Sequence, residues 1–169
     1  RVAREFVEDL SADGVIYGEI RWAPEQHLSR GLTLDQTVEA VQEGLEAGAE
    51  EVRHAGGSIR VGQLVSAMRH ADRGLEIAEL AVRHRNNGVV GFDIAGAEAG
   101  FPAGNLRDAF DYLAHHFFPA TVHAGEADGL DSIRGALFDG RALRRGPGVR
   151  LAEDVHTARD GAEDTRVAL

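Results

Sequence analysis

Short apolar runs alternate with longer amphipathic segments along this chain of 169 residues. The runs are rich in β-branched residues or glycine, a composition that predicts buried strands. They occupy residues 15–21, 59–66, 89–94, 120–123 and 148–151. Because helical patterns fill the intervals between them, the order predicts an α/β fold with a parallel sheet.

Five amphipathic segments have apolar residues at helical spacing and predict helices. They cover residues 1–10, 33–54, 72–87, 105–116 and 129–139. Thr33 is the predicted N-cap of the second helix, and Gln36, three residues later, completes a capping box. Gly56-Gly57 end that helix, and Asn86-Asn87-Gly88 are a strong stop signal for the third.

Periodicity alone is compatible with two arrangements of these units, an open doubly wound sheet and an incomplete (β/α)8 or TIM barrel. Strand starts lie about 30 residues or more apart, a usual length for one βα unit. No linker interrupts them, so we expect a single domain over residues 1–169. A complete barrel takes about 250 residues, and both ends of the chain interrupt helical patterns. An incomplete barrel with both ends missing is therefore favoured.

The composition of the chain excludes several classes of function. A net charge of −10 argues against a nucleic-acid partner, because phosphate binding requires a positive surface. All 18 basic residues are arginine, which excludes Schiff-base chemistry and a phosphate-loop lysine within this stretch. The absence of cysteine excludes disulfides and thiolate zinc sites. No apolar membrane span is present, and we expect a cytoplasmic protein.

The motif Thr121-Val122-His123-Ala124-Gly125-Glu126 carries the most legible chemistry. It ends a predicted strand and precedes a predicted helix, so His123 and Glu126 are expected at the carboxyl edge of the sheet, where α/β folds bind ligands. A neutral imidazole is a good zinc ligand, and a carboxyl group beside it is a candidate general acid or base. The alternative is a capped helix start, in which Glu126 favours the helix dipole and His123 bonds a carbonyl.

A second strand ends at Asp93, with Gly96 just beyond it. Asp93 is a candidate to orient a neighbouring histidine or to bind metal, and Gly96 allows a flat ligand to approach the backbone. The alternative is a βα turn that merely requires glycine. Glu19, Arg21 and Trp22 close the first strand, where we expect an inward ion pair with a structural role. The other histidines show no ligand spacing and are predicted to be non-catalytic: His27, His54, His70, His84, His115, His116 and His156.

Four segments together resemble successive strands of the adenosine deaminase family, in order and in spacing. They are Tyr17-Gly18-Glu19-Ile20-Arg21-Trp22-Ala23-Pro24, Val61-Gly62-Gln63-Leu64-Val65-Ser66-Ala67-Met68-Arg69, Val89-Val90-Gly91-Phe92-Asp93-Ile94-Ala95-Gly96, and the motif that ends at Glu126. The resemblance covers strands two to six of that family's zinc-dependent (β/α)8 barrel. It implies that the chain is the central part of such a barrel.

The resemblance also implies an activity, the hydrolytic deamination of adenosine or 2′-deoxyadenosine to inosine or 2′-deoxyinosine by a zinc-activated hydroxide. His123 matches the family's third histidine ligand to Zn²⁺, and the remaining ligands lie outside this chain. Glu126 matches the residue that protonates the purine ring, and Gly96 matches the residue whose backbone meets the purine. The expected partner is a small purine nucleoside, with self-association through exposed sheet edges.

Three departures from the family pattern point toward an inactive fragment. The His-x-His pair of the family's first strand and the paired aspartates of its eighth strand are both absent. In Arg145-Gly146-Pro147-Gly148-Val149-Arg150, Pro147 stands where the family has a histidine that orients the hydroxide. Three alternatives therefore stay open: a non-catalytic nucleoside-binding protein, a deaminase of adenine or a modified purine nucleoside, and a gene remnant without function.

Overall fold

The structure, a computed structural model, describes residues 1–142 and the backbone of Arg144–Arg145. Helices and strands alternate throughout this part of the chain, as the sequence predicts. The helices are α1 (Val2–Ala12), α2 (Leu34–His54), α3 (Gly74–Arg83), α4 (Arg107–His115) and α5 (Leu130–Phe138). The strands are β1 (Tyr17–Trp22), β2 (Arg60–Met68), β3 (Val89–Ala95), β4 (Ala120–Val122) and β5 (Arg144–Arg145). Short 3-10 helices cover Pro24–His27 and Ala103–Leu106.

The strands form one parallel sheet in the order β1-β2-β3-β4-β5. Each new strand thus adds beside the previous one, always in the same direction around the sheet. A doubly wound sheet instead reverses its order at a switch point, whereas a barrel does not. The architecture is therefore part of a (β/α)8 barrel, and the doubly wound alternative is wrong.

The main apolar core lies between this sheet and the helices that cover it. Phe92 of β3 and Phe110 of α4 are almost completely buried and meet edge to face, with ring centroids 5.9 Å apart. A second cluster joins α1 to α2 around Val7 and Leu45, both 0% exposed. The helices thus hold the sheet from one side and leave its strand ends available for chemistry.

Local signals predicted the second helix well. Thr33 Oγ1 accepts from the backbone N–H of Gln36 at 3.2 Å, and Gln36 Oε1 accepts from the N–H of Thr33 at 2.9 Å, so the capping box is confirmed. The helix predicted at 72–87 ends earlier, at Arg83, because residues 84–88 form turns that end at Gly88 with φ +79°.

The structure shifts the start of the first predicted strand and does not describe the last one. The first strand begins at Tyr17 rather than residue 15, where its ladder with Arg60 of β2 starts. The strand predicted at 148–151 lies outside the described residues, as does Pro147. The backbone of Arg144–Arg145 pairs with β4. Among the helices of residues 1–142, none is long and apolar enough to cross a membrane.

Candidate active site

Strand register determines which side chains meet at the carboxyl edge of the sheet. Side chains alternate along a strand with a period of two, so residues two apart share a face. Asp93 of β3 pairs with Thr121 of β4, and His123 lies two residues beyond Thr121. Ser66 of β2 pairs with Asp93 on its other side. The register therefore directs Ser66, Asp93 and His123 to one face of the sheet.

The Nδ1 atom of His123 is held by two acceptors. Asp93, whose side chain is 0% exposed, has its Oδ2 2.9 Å and its Oδ1 3.1 Å from this nitrogen. The carbonyl oxygen of Ile94 lies 3.1 Å from it. Because a carboxylate and a carbonyl only accept, Nδ1 carries the proton. Nε2 then presents its lone pair, which is the tautomer of a metal-binding histidine whose ring is fixed by a carboxylate.

Arg21, at the end of β1, contacts the other nitrogen of the ring. Its Nη1 lies 2.8 Å from His123 Nε2, and its Nε lies 3.2 Å from Asp93 Oδ2. A guanidinium only donates, so Nε2 accepts, in agreement with the tautomer that Asp93 imposes. The inward ion pair predicted for the end of β1 is confirmed for Arg21, with Asp93 as its partner. Glu19 instead accepts from the hydroxyl of Tyr17 at 2.7 Å.

Charges of both signs act on the ring of His123. The pKa of His123 is raised, chiefly by its hydrogen bond to Asp93 and also by the negative charge of Asp93. Burial and the positive charge of Arg21 act in the opposite direction and lower this pKa. The buried carboxylate therefore stabilises positive charge at the ring. A metal cation at Nε2 would profit from the same carboxylate, since a second-shell acid strengthens a histidine ligand.

Glu126 lies on the segment that leaves β4. Gly125 takes the left-handed conformation, with φ +80°, and so allows the chain to turn directly after His123. The side chain of Glu126 is exposed, while the ring of His123 is 21% exposed. Helix α5 begins only at Leu130, so Glu126 is not in its first turn, and the interpretation of the motif as a capped helix start is wrong for this residue.

Glu98 is a candidate functional residue that sequence reasoning missed. It lies in the loop after β3, is 7% exposed, and accepts hydrogen bonds from the segment that carries Glu126. Burial alone would raise the pKa of Glu98, but the hydrogen bond from the hydroxyl of Ser132 and those from backbone N–H groups, Ala127 first, lower it to about 2. In the sequence, the only indication of this role is that Glu98 is the one charged residue among the alanines and glycines of 95–100.

Arg69, at the end of β2, holds the same segment from its other end. Its Nη2 donates to the carbonyl oxygen of His123, and its Nη1 donates to that of Phe101 at 2.6 Å. The residue is 4% exposed, and burial lowers the pKa of its guanidinium, with Glu98 and Asp93 opposing. Arg69 and Glu98 together fix both ends of the turn after β4.

Gly96 follows β3 in the left-handed conformation, with φ +94°. A Cβ atom at this position would lie 3.0 Å from Met68 Cε and 3.3 Å from His70 Nδ1. The backbone conformation at position 96 thus favours glycine, and a side chain there would be crowded by its neighbours. The role of Gly96 in binding a purine stays a prediction.

Residues 1–142 contain no group of three or more histidines and acids able to hold a metal ion. The imidazole of His123 is a donor type that suits zinc, and Asp93 orients its ring, but zinc at Nε2 would have to displace the guanidinium of Arg21. Elsewhere, His84 bonds Asp35 at 2.7 Å, and His115 and His116 bond helix carbonyls. His156 lies outside the described residues.

A partial parallel barrel with a carboxylate-oriented histidine at its carboxyl edge is typical of (β/α)8-barrel enzymes, whose active sites lie at that edge. Comparison with known proteins gives the family. The family described as adenosine deaminase matches residues 1–167. The chain therefore belongs to the adenosine deaminase family.

Individual relatives agree with this assignment. Adenosine deaminase 1 of Streptomyces coelicolor is 57% identical over 162 residues, which cover 96% of this chain and 41% of that protein. The N6-methyl-AMP deaminase of Arabidopsis thaliana is 29% identical with a TM-score of 0.79, over 93% of this chain and 48% of that one. An amidohydrolase from Burkholderia ambifaria with bound Zn shares the fold, at 22% identity and a TM-score of 0.74, over 95% and 44% of the two chains. The chain spans less than half the length of these relatives.

Proposed function

We propose that the full-length protein containing these residues deaminates adenosine and 2′-deoxyadenosine hydrolytically, giving inosine or 2′-deoxyinosine and ammonia. Residues 1–169 would form one domain, the central part of its (β/α)8 barrel. Family membership over residues 1–167 and 57% identity to an adenosine deaminase support the proposal.

The observation that carries the proposal is the state of the His123 ring. Asp93 and Ile94 hold the proton on Nδ1, so the lone pair that would bind Zn²⁺ is on Nε2 at the carboxyl edge of the sheet. Zinc would displace Arg21 Nη1, which donates to Nε2 at 2.8 Å. The other zinc ligands would come from outside this chain. Bound zinc supplies Lewis acidity, which makes a water molecule nucleophilic near neutral pH.

Two residues of this chain would act on the purine, one as a proton donor and one through its backbone. Glu126, whose side chain is exposed, donates a proton to N1 of the ring as the oxygen of water adds to C6. Of the protons of the added water, one replaces the proton that Glu126 gave and the other moves to the amino nitrogen. The bond from C6 to that nitrogen then breaks, ammonia leaves, and the oxygen stays on C6 as the carbonyl of inosine. The backbone at Gly96 lies beside the purine, where a side chain would crowd Met68 and His70.

The experiment compares the full-length protein with its Glu126→Gln variant, following inosine formation by ultraviolet absorbance. A general acid contributes about 100- to 10,000-fold, so the variant should lose at least about 100-fold in kcat. Glu43→Gln, an exposed glutamate of α2, is the matched control and should keep full activity. Equal rates for Glu126→Gln and the unmodified enzyme would contradict the proposal. Residues 1–169 alone should show no turnover.

Pro147 favours a second candidate function, a nucleoside-binding protein without catalysis, because proline cannot donate, accept or titrate in place of a catalytic histidine. The Pro147→His variant of the full-length protein separates the two. A sharp rise in rate supports an enzyme that Pro147 impairs, whereas nucleoside binding without turnover in both proteins supports the binding function.

The substrate is a further point to test. Relatives of similar fold include an adenine deaminase from Arthrobacter aurescens and the N6-methyl-AMP deaminase, so the assay includes adenine and N6-methylated purines beside adenosine. We propose adenosine as the preferred substrate, within purine nucleoside metabolism and in the cytoplasm. Self-association of residues 1–169 through the edge of β1 is tested by size-exclusion chromatography.

A further inference from the structure

The buried carboxylate of Glu98 accepts hydrogen bonds from four successive N–H groups of the segment after β4. Glu98 Oε1 accepts from the N–H of Gly125 at 2.5 Å, and Oε2 accepts from the N–H groups of Glu126 at 3.0 Å and Ala127 at 2.7 Å. A longer bond of 3.3 Å comes from Asp128. Four successive peptide groups thus converge on a single side chain.

The same carboxylate also reaches the helix that follows. Ser132, in the first turn of α5, donates its hydroxyl to Glu98 Oε1 at 2.6 Å. Successive N–H groups in a turn form a cradle for negative charge, and the positive end of a helix adds to it. Hydrogen bonds to an ionised acceptor are about twice as strong as neutral ones. Glu98 therefore fixes the peptide planes of residues 125–128 relative to β3 and α5.

We propose that Glu98 is a positioning residue for the deamination, holding the segment that presents Glu126 so that the carboxyl group of Glu126 faces the purine. Glu98 itself is buried and acts through the backbone, without contact with substrate. The inference rests on the proposed function, because it assigns Glu98 a part in the same reaction. Arg69 on the carbonyl of His123 completes the hold from the other end.

Neutralising this carboxylate should loosen the segment. In Glu98→Gln, one oxygen becomes an NH2 group that faces N–H donors, so two or more of the hydrogen bonds are lost. Displacement of a reacting group by about 1 Å costs about 100-fold. Because the loss falls on the chemical step, kcat should decrease by about 10- to 100-fold while KM changes little.

The test uses the full-length enzyme and two readouts. Steady-state kinetics give kcat and KM, and hydrogen exchange by mass spectrometry follows the amides of residues 124–129 without any need for turnover. Glu98→Gln should speed exchange in this segment and lower kcat. Glu98→Asp keeps the charge on a shorter side chain and should partly restore both. Glu76→Gln, an exposed acid of α3 paired with Arg73, is the control and should leave both unchanged.

Each outcome decides one claim. Unchanged exchange in Glu98→Gln shows that the carboxylate does not hold the segment, and faster exchange with unchanged kcat shows that the hold does not serve the reaction; either overturns the inference. If Glu98→Gln does not fold, Ser132→Ala removes one donor and should give smaller changes of the same kind. If the unmodified enzyme forms no inosine, the proposed function fails, and the exchange data alone then confirm or refute the hold of Glu98 on the segment.

Discussion

Asp93 and His123 stand 30 positions apart in the chain, and the adjacent strands β3 and β4 bring the carboxylate of one within 2.9 Å of Nδ1 of the other. The side chain of Asp93 is 0% exposed, whereas that of His123 is 21% exposed. Nε2 is the ring nitrogen on the more exposed side, where Arg21 Nη1 contacts it at 2.8 Å, so a ligand would take the place of that guanidinium. The tautomer of His123 is thus decided by a residue of a different strand.

Asp93→Asn tests whether that carboxylate prepares the ring for zinc. Asparagine removes the negative charge beside Nδ1 and leaves the carbonyl of Ile94 to hold the ring proton, so the ring becomes a weaker and less firmly oriented ligand. Loss of such a second-shell partner lowers metal affinity by about 10- to 100-fold, and we expect this decrease in the full-length protein. Competition with a chromophoric chelator measures the Kd for zinc.

The control for this experiment is Asp9→Asn, an exposed aspartate on α1, which should bind zinc as the unmodified protein does. Far-ultraviolet circular dichroism checks that Asp93→Asn still folds. An unchanged Kd in folded Asp93→Asn would show that the strength of the ring as a ligand does not depend on this carboxylate, and would remove the argument for His123 as a prepared ligand.

What the sequence could predict depended on how far apart the interacting residues lie. The capping box of Thr33 and Gln36 is local, and it was predicted correctly. The role of Asp93 as a partner of a histidine was one of two interpretations, because only the register of β3 against β4 decides between them. Glu98 was missed because its donors lie 27 to 34 positions away, on a segment with no pattern that announces an acceptor.

The barrel itself shows the same limit. Hydrophobic periodicity predicted alternating strands and helices, but it cannot order the strands within a sheet. The structure shows that order directly, through the pairing of β1 with β2 and of each later strand with its predecessor. Family resemblance supplied that order in advance, through the four strand-end segments rather than through any single residue.

Gly96→Ala tests the predicted contact between the backbone after β3 and the purine. With φ +94°, a side chain at this position is strained, and the loss of stability should be about 1 kcal/mol. The new Cβ would lie 3.0 Å from the flexible end of Met68, which can move aside. The stronger effect should therefore be a rise in KM of about 10-fold or more in the full-length enzyme, measured by steady-state kinetics.

Gly100→Ala is the matched control for this change. Gly100 also has a positive φ, +81°, but a Cβ there would meet no atom within 4 Å. We expect a similar loss of stability and an unchanged KM. Equal KM values for the two variants would contradict a role of Gly96 in substrate binding and leave only its conformational role.

Asp35→Asn tests the link between α2 and α3. The carboxylate of Asp35 accepts two hydrogen bonds from Arg83, at 2.8 and 3.0 Å. It also lies 2.7 Å from Nε2 of His84. The side chain of Asp35 is 43% exposed, so solvent screens the pair, and the expected loss in the free energy of unfolding is only about 1 kcal/mol. Urea unfolding measures it. Asp131→Asn, whose acid is 97% exposed beside Arg134, should change nothing; an equal loss in both would refute the link.

The stability that Glu98 contributes should disappear in acid. Its pKa falls from 4.5 in the unfolded chain to about 2 in the folded protein, so the ionised form stabilises the fold by about 3 kcal/mol above pH 4.5. A lowered pKa means that this contribution is lost as the pH falls from 4.5 toward 2. The free energy of unfolding of the unmodified protein minus that of Glu98→Gln should therefore shrink below pH 4.5. Asp35, whose pKa is also lowered, titrates equally in both proteins and cancels. A difference that stays constant from about pH 6 to pH 3 would show that Glu98 is not held as an ionised acceptor.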